Sequence, residues 1–284
     1  MHKGFSLLML TVLLGAGDGE APGRAREFYQ RTEYEAAIRE LERVDPKSAE
    51  ALALMGKAYY GQGKFKEASE ALERAVAAEP QNAHYWNWLG KAFGRRAEFS
   101  SFLTAPRYAS QCRRAFEKAV ELEPTNLKAL SDLFSYYLDA PGFLGGGVEK
   151  AEAIAGRIRQ LDAAEYHWTQ AELANKRKDF ASAEQHLRRA AELAPKHVGR
   201  LLDVARFLAR HGRRAESDGI FEQAKSMAPE DPEILFAQAG AYIDGNRELD
   251  RARALLKQYL ASNLTPGHPP RWQAERLLKR IPGG

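Results

Sequence analysis

The chain has one cysteine, Cys112, among its 284 residues. A single thiol cannot close an intramolecular disulfide, and it excludes the cysteine sets that hold structural zinc. Histidine pairing is missing as well. The histidines at 84, 167, 186, 197, 211 and 268 form neither H-x-x-x-H nor H-E-x-x-H, and there is no G-x-S-x-G. Those gaps remove the usual constellations of metal-assisted and nucleophilic hydrolysis. The expectation is therefore no enzyme, no metal and no cofactor. Cys112 is expected to serve as a small buried apolar side chain.

Charge of one sign is also lacking. The formal net charge is +4, with acids and bases interleaved along the chain. Without a basic stripe, nucleic-acid binding is not expected. No segment alternates with period two through Val, Ile and Thr, so strands are not expected either. Long apolar runs are absent except for one, Phe5–Ala16. It follows His2 and Lys3 and precedes Gly17, Asp18 and Glu20. That order of basic, apolar and small residues is the pattern of a secretory signal. The run is short for a membrane crossing. A signal peptide over residues 1–17 is expected, either removed near Gly17 or kept as an N-terminal anchor. No cysteine follows the run, which excludes a lipoprotein anchor. The mature chain is then exported with no transmembrane span. It is periplasmic in a diderm bacterium and otherwise extracellular or luminal.

What the chain does have is alanine, leucine, glutamate, arginine and lysine, the strong helix formers, in a repeating order. Three segments end alike: "ALALMGKAYYGQGKFKEASEALERAVAAEP" at Pro80, "NKRKDFASAEQHLRRAAELAP" at Pro195, and "LLDVARFLARHGRRAESDGIFEQAKSMAP" at Pro229. The last two prolines lie 34 residues apart. The segments ending at Pro80 and Pro229 carry apolar residues at i, i+3, i+4 and i+7, then a polar turn and a second such run. The one ending at Pro195 holds the turn and the second run. Two amphipathic helices per period make a helical hairpin, and proline stops the second helix.

In these residues the sequence resembles the tetratricopeptide repeat family. Leu52, Met55, Gly56, Tyr59, Ala68, Leu72, Ala75 and Pro80 follow that pattern nearly throughout, and Trp86, Leu89, Gly90, Phe93, Cys112, Phe116, Ala119 and Pro124 follow it again. The resemblance implies an all-α, right-handed superhelical solenoid of antiparallel helix hairpins over residues 24–281. Repeats are expected at about 24–48, 49–82, 83–126, 127–163, 164–197, 198–231 and 232–265. A capping helix is expected over 269–281, with Trp272, Leu277, Leu278 and Ile281 covering the last hairpin.

The resemblance also implies a concave groove lined by first helices, suited to a protein or peptide partner. Its groove positions are Lys57, Tyr60, Asn87, Lys91, Trp168, Glu172, Arg206 and Phe236. A branch of the family clamps a terminal carboxylate with lysines and asparagines. The corresponding positions here are Ala53, Lys57, Trp88, Lys128 and Asp132, of which only Lys128 is of the right type.

Two repeats exceed the regular length. About ten extra residues lie between Phe93 and Cys112, and about five between Tyr137 and Ala151. The second insertion, "DAPGFLGGGVEK", is glycine-rich, but it carries Val148 and Glu149 where a phosphate loop needs Lys and Ser or Thr. It reads as a stretched turn. Both extensions join first to second helices, so they are expected side by side at one edge. There Arg95, Arg96, Phe99, Phe102, Arg107, Tyr108, Phe143 and Leu144 would make an apolar lip with basic neighbours. Two functions remain open: an exported scaffold for a protein partner, or a binder of small molecules or glycans that uses the lip as a pocket wall.

Overall fold

The computed structural model describes residues 20–43 and 48–282, so the expected signal segment lies outside the described residues. All regular structure among them is helical. The hairpins are α1 (Glu20–Gln30) with α2 (Tyr34–Glu42), α3 (Ala49–Gly61) with α4 (Phe65–Ala78), and α5 (Ala83–Glu98) with α6 (Ala105–Leu122). They continue with α7 (Leu127–Asp139) and α8 (Val148–Ile158), α9 (Ala163–Lys176) and α10 (Phe180–Leu193), and α11 (Val198–Arg210) and α12 (Arg214–Met227). The last pair is α13 (Pro232–Asp244) and α14 (Leu249–Ala261), followed by the single helix α15 (Arg271–Leu278). Each helix packs on its hairpin partner and each hairpin on the next, which makes an all-α solenoid.

Proline and a capping residue set the period. A residue before proline is pushed out of the helical region. Accordingly Glu79, Glu123, Ala194 and Ala228, each followed by Pro, lie outside it, with φ from −125° to −141°. Two residues after Pro80 and Pro124, the side chains of Asn82 and Asn126 accept hydrogen bonds from the backbone N–H of Tyr85 and Ala129. Asp231 caps α13 in the same way. Proline thus ends one helix and an Asn or Asp starts the next. Within hairpins the turn needs a left-handed residue. Gly63 and Gly212 supply it at φ 76° and 77°, and Lys178 adopts it at φ 63°.

Small residues bring paired helices together. A Cβ on Gly56 would lie 2.6 Å from Leu72, and one on Gly90 would lie 2.5 Å from the Phe116 ring. Ala68, Ala171, Ala183 and Ala205 are buried at equivalent crossings. The core is a ribbon of linked clusters running the length of the array, as expected where each repeat buries its apolar face only against its neighbours. Cys112 is buried within it, and burial pushes its thiol up to about 12.

Both length extensions have a local explanation. Of the extra residues before Cys112, most are helix: α5 runs to Glu98 and α6 starts at Ala105, so only Phe99–Thr104 forms the connection. The expected long loop is therefore a pair of lengthened helices, with Pro106 tolerated in the first turn of α6. The glycine-rich stretch is a 3-10 turn over Gly142–Leu144. Four of its N–H groups bond internally and hold the turn closed. Leu144 and Gly146 donate to Pro141 O, Gly145 to Gly142 O, and Gly147 to Tyr137 O.

The last helix departs from expectation. Leu277, Leu278 and Ile281 do pack on the final hairpin. Trp272 does not. It crosses to the other end of the array and packs on the α3–α4 turn, where a Cβ on Gly63 would sit 3.3 Å from its indole. The helix therefore closes the superhelix instead of simply ending it.

Candidate functional site

The first helices present a stripe that begins one turn before the family positions. On α5, His84, Trp88, Lys91 and Arg95 recur at i, i+4, i+7 and i+11, one face of a helix. Trp88 is the centre of a cluster. The ammonium groups of Lys57 and Lys91 stand 5.6 and 5.3 Å from its ring, within cation–π range. Its indole N–H donates to His84 Nε2 at 3.1 Å, and Lys57 Nζ reaches the same nitrogen at 2.8 Å. Nε2 therefore accepts both bonds, which requires a neutral imidazole. Partial burial and the charges of Lys57, Lys91 and Lys128 pull His84 down to about 4. Burial pulls Lys57 down to about 8. Lys128 is lowered by the charge of Lys91 beside it.

Asp132 is the carboxylate in direct contact with this cluster. Asp132 on α7 pairs with Lys91 at 3.0 Å and accepts from Asn87 Nδ2 at 2.9 Å. Asn87 is buried and used structurally, so it is not free to meet a ligand. Tyr60 packs edge to face on Trp88 at 5.6 Å, and its hydroxyl accepts from Arg95. The groove half built by α3, α5 and α7 thus holds three lysines and an aromatic floor around Asp132, with Glu50 and Glu165 acting on Lys57 and Lys128 from farther off.

The other half is more balanced. Trp168 on α9 packs on Phe134 at 5.9 Å, with the Arg200 guanidinium 5.9 Å from its ring. Arg200 pairs with Glu165 and Asp203. Burial raises the Glu172 carboxyl above its ordinary value, opposed by Arg210. Arg206 lies 3.5 Å from Asp203 and 3.6 Å from Glu233. Phe236 packs on Tyr259 at 5.3 Å.

The eight lip residues are divided rather than gathered. Arg96 turns inward to donate to Ser69 and Tyr108, and Tyr108 stacks on Phe93. Arg95 lies over the Trp272 ring at 5.7 Å, and Phe99 stacks on Phe65 and meets Trp272 edge to face. The Leu144 carbonyl accepts from Tyr136. That leaves Phe102, 84% exposed, Phe143, 82% exposed, and Arg107 facing solvent. Of the lip residues, Arg95 alone lines the cavity beside α15.

Sequence reasoning missed His84, Asp132 and Trp272 as functional neighbours. The spacing from His84 to Arg95 was a readable signal. The position of Trp272 was not, because nothing local records which distant turn it meets.

Residues 28–92, from the end of α1 through most of α5, match the tetratricopeptide repeat family. That stretch carries tetratricopeptide repeats. Solved structures extend the likeness along the array. A thermophilic tetratricopeptide repeat protein of Thermus thermophilus is 22% identical, with a TM-score of 0.55 over 66% of this chain and 97% of that one. One from Parabacteroides merdae is 15% identical, with a TM-score of 0.59 over 92% and 97%. The APC/C hetero-tetramer Cut9–Hcn1 is 16% identical, with a TM-score of 0.51 over 92% of this chain and 48% of that one. No curated protein matches the chain in sequence. Tetratricopeptide repeat proteins bind protein partners, and the arrays are in general non-catalytic scaffolds. Among the described residues no helix is long and apolar enough to cross a membrane.

Proposed function

We propose that the protein is an exported tetratricopeptide repeat scaffold that holds a partner protein by an acidic segment laid in its concave groove. The carrying observation is the cluster of positive charge around Trp88: among the described residues Lys91 pairs with Asp132, while Lys57 and Lys128 make no ion pair. An incoming carboxylate would relieve the repulsion between the ammonium groups while the aromatic floor takes an apolar neighbour. The Cut9–Hcn1 assembly, a structural neighbour with a protein partner, supports a scaffold role. The signal-like residues 1–17 support export. The exposed tips Phe102 and Phe143 supply a second contact surface at one edge.

The test is photo-crosslinking from position 88 of the protein in an extract of its own cells, with partners identified by mass spectrometry. The Lys57→Gln/Lys91→Gln variant should lose the specific crosslink. Undiminished capture by that variant would remove the groove reading. Fractionation of the source cells with an antibody tests export: recovery of unprocessed protein in the cytosol would refute it.

A further inference from the structure

The closure made by α15 creates a second concavity. A cavity of about 800 Å³ lies between α15 and the C-terminal ends of α11 and α13. Arg95, Arg206, Arg210, Arg214 and Arg276 line it from four helices, with Arg280 just past α15, and Asp244 is the one acid among its lining residues. Its floor is apolar: Phe236, Ala237 and Ala241 from α13, with Leu277 opposite. Gly240 opens that floor, since a Cβ there would meet nothing within 4 Å.

The ion pairs show which charges are free. Arg95 and Arg276 share Glu98, at 2.5 and 3.0 Å. Arg280 pairs with Asp244 at 2.7 Å, and Arg206 has the longer contacts to Asp203 and Glu233. Among the described residues Arg210 and Arg214 make no ion pair, although Arg210 acts on the Glu172 carboxyl from farther off. Both are exposed at the mouth, as are Arg276 and Arg280.

We infer that this basin binds an acidic peptide segment bearing an apolar or aromatic side chain. The inference rests on the scaffold reading above but concerns a basin beyond the Trp88 cluster, closed by α15. Guanidinium groups are fitted to carboxylates through paired N–H donors. Here they ring an open basin from several sides instead of converging on one point. That spacing suits several acidic side chains on one chain better than one compact anion. The apolar floor takes the side chain between them. Arg206 and Phe236 belong to the concave face as well, so the basin continues the groove. Because Arg276 stands on α15, the site is complete only while Trp272 holds that helix in place.

The experiment is isothermal titration of the mature protein at low salt with the acetylated, amidated peptide Glu-Glu-Phe-Leu-Glu-Glu. The groove is first silenced by Lys57→Gln/Lys91→Gln, so that binding reports the basin. The silenced protein should still bind, with an affinity that falls as salt rises. Adding Arg210→Glu/Arg214→Glu should weaken it about tenfold or more. Arg210→Gln/Arg214→Gln is the milder pair if circular dichroism shows that the first misfolds. Trp272→Ala should also weaken binding. A peptide with Lys in place of every Glu should not bind. No binding by the silenced protein would overturn the inference while leaving the groove reading intact. So would affinity indifferent to Arg210 and Arg214. Equal affinity for phthalate would overturn it too, making the basin a small-molecule pocket.

Discussion

Trp272 meets Phe65 edge to face, with ring centroids 5.4 Å apart at 81°, although the two stand at opposite ends of the array. Phe99 completes the contact, 6.0 Å from the indole, and Arg276 lies 5.0 Å over the Phe99 ring. A solenoid normally couples only neighbours. This contact couples the first repeats to the last helix.

Replacing Trp272 with Ala should therefore loosen the closure and leave the hairpins folded. Truncation of a large aromatic costs about 3–5 kcal/mol when fully buried, and about 2 kcal/mol is expected for this partly exposed ring. Denaturant unfolding would give the loss, and small-angle scattering should show a larger radius of gyration. An unchanged radius would mean that α15 is held by its own hairpin alone.

Two helix-interior glycines should respond to alanine with opposite sign. At Gly240 the added Cβ has open space, so Gly240→Ala should stabilise by about 0.5–1 kcal/mol through helix propensity. At Gly90 it would strike the Phe116 ring, and Gly90→Ala should cost about 1–3 kcal/mol. Thermal melts of the two variants decide it. Shifts in the same direction would contradict the close approach of α5 and α6.

The stretched turn offers a similar contrast. A Cβ on Gly146 would lie 1.9 Å from the Ala140 carbonyl oxygen, backbone that cannot step aside, while one on Gly142 meets nothing. Gly146→Ala should destabilise by about 2 kcal/mol or more, and Gly142→Ala should lie within about 0.5 kcal/mol of the native chain. Urea midpoints measure both.

His84 gives a pH signature. Its folded value, about 4, lies below the ordinary imidazole value of 6.5. Between those values the unfolded chain binds the proton and the folded chain does not, so stability falls as pH drops through this window. The chain carrying His84→Gln lacks that contribution. Its urea midpoint should decline less between pH 6.5 and 4 than the native protein's. Parallel declines would show that His84 protonates freely and does not accept from Lys57 and Trp88.

Cys112 should be inert. With its thiol pushed up to about 12 by burial, little thiolate forms at neutral pH. A chromogenic disulfide reagent should modify it only after denaturation. Rapid labelling of the native protein would place the thiol at the surface.

The helices and their order were legible in the sequence because their causes are local. Pro80, Pro124, Pro195 and Pro229 stop helices by geometry that acts on adjacent residues, and Asn82, Asn126 and Asp231 cap them within three residues. The spacing of Gly56, Gly90, Ala171 and Ala205 marked the close crossings for the same reason, since each hairpin packs on itself. The extra residues around Phe99 were legible as an insertion, yet their helical state followed from continuing α5 and α6, which insertion length alone does not reveal. The groove was legible as a face, while its chemistry was not. Lys57, His84, Trp88, Lys91 and Asp132 come from three helices, and their meeting depends on how successive hairpins are rotated. Closure was the least legible. Whether Trp272 covers its own hairpin or reaches Phe65 depends on small rotations summed over every repeat, and only the tertiary structure fixes that sum. The sequence determined the units and their stacking order. The folded chain decided that the stack curves back on itself and leaves an arginine-lined basin where its ends meet.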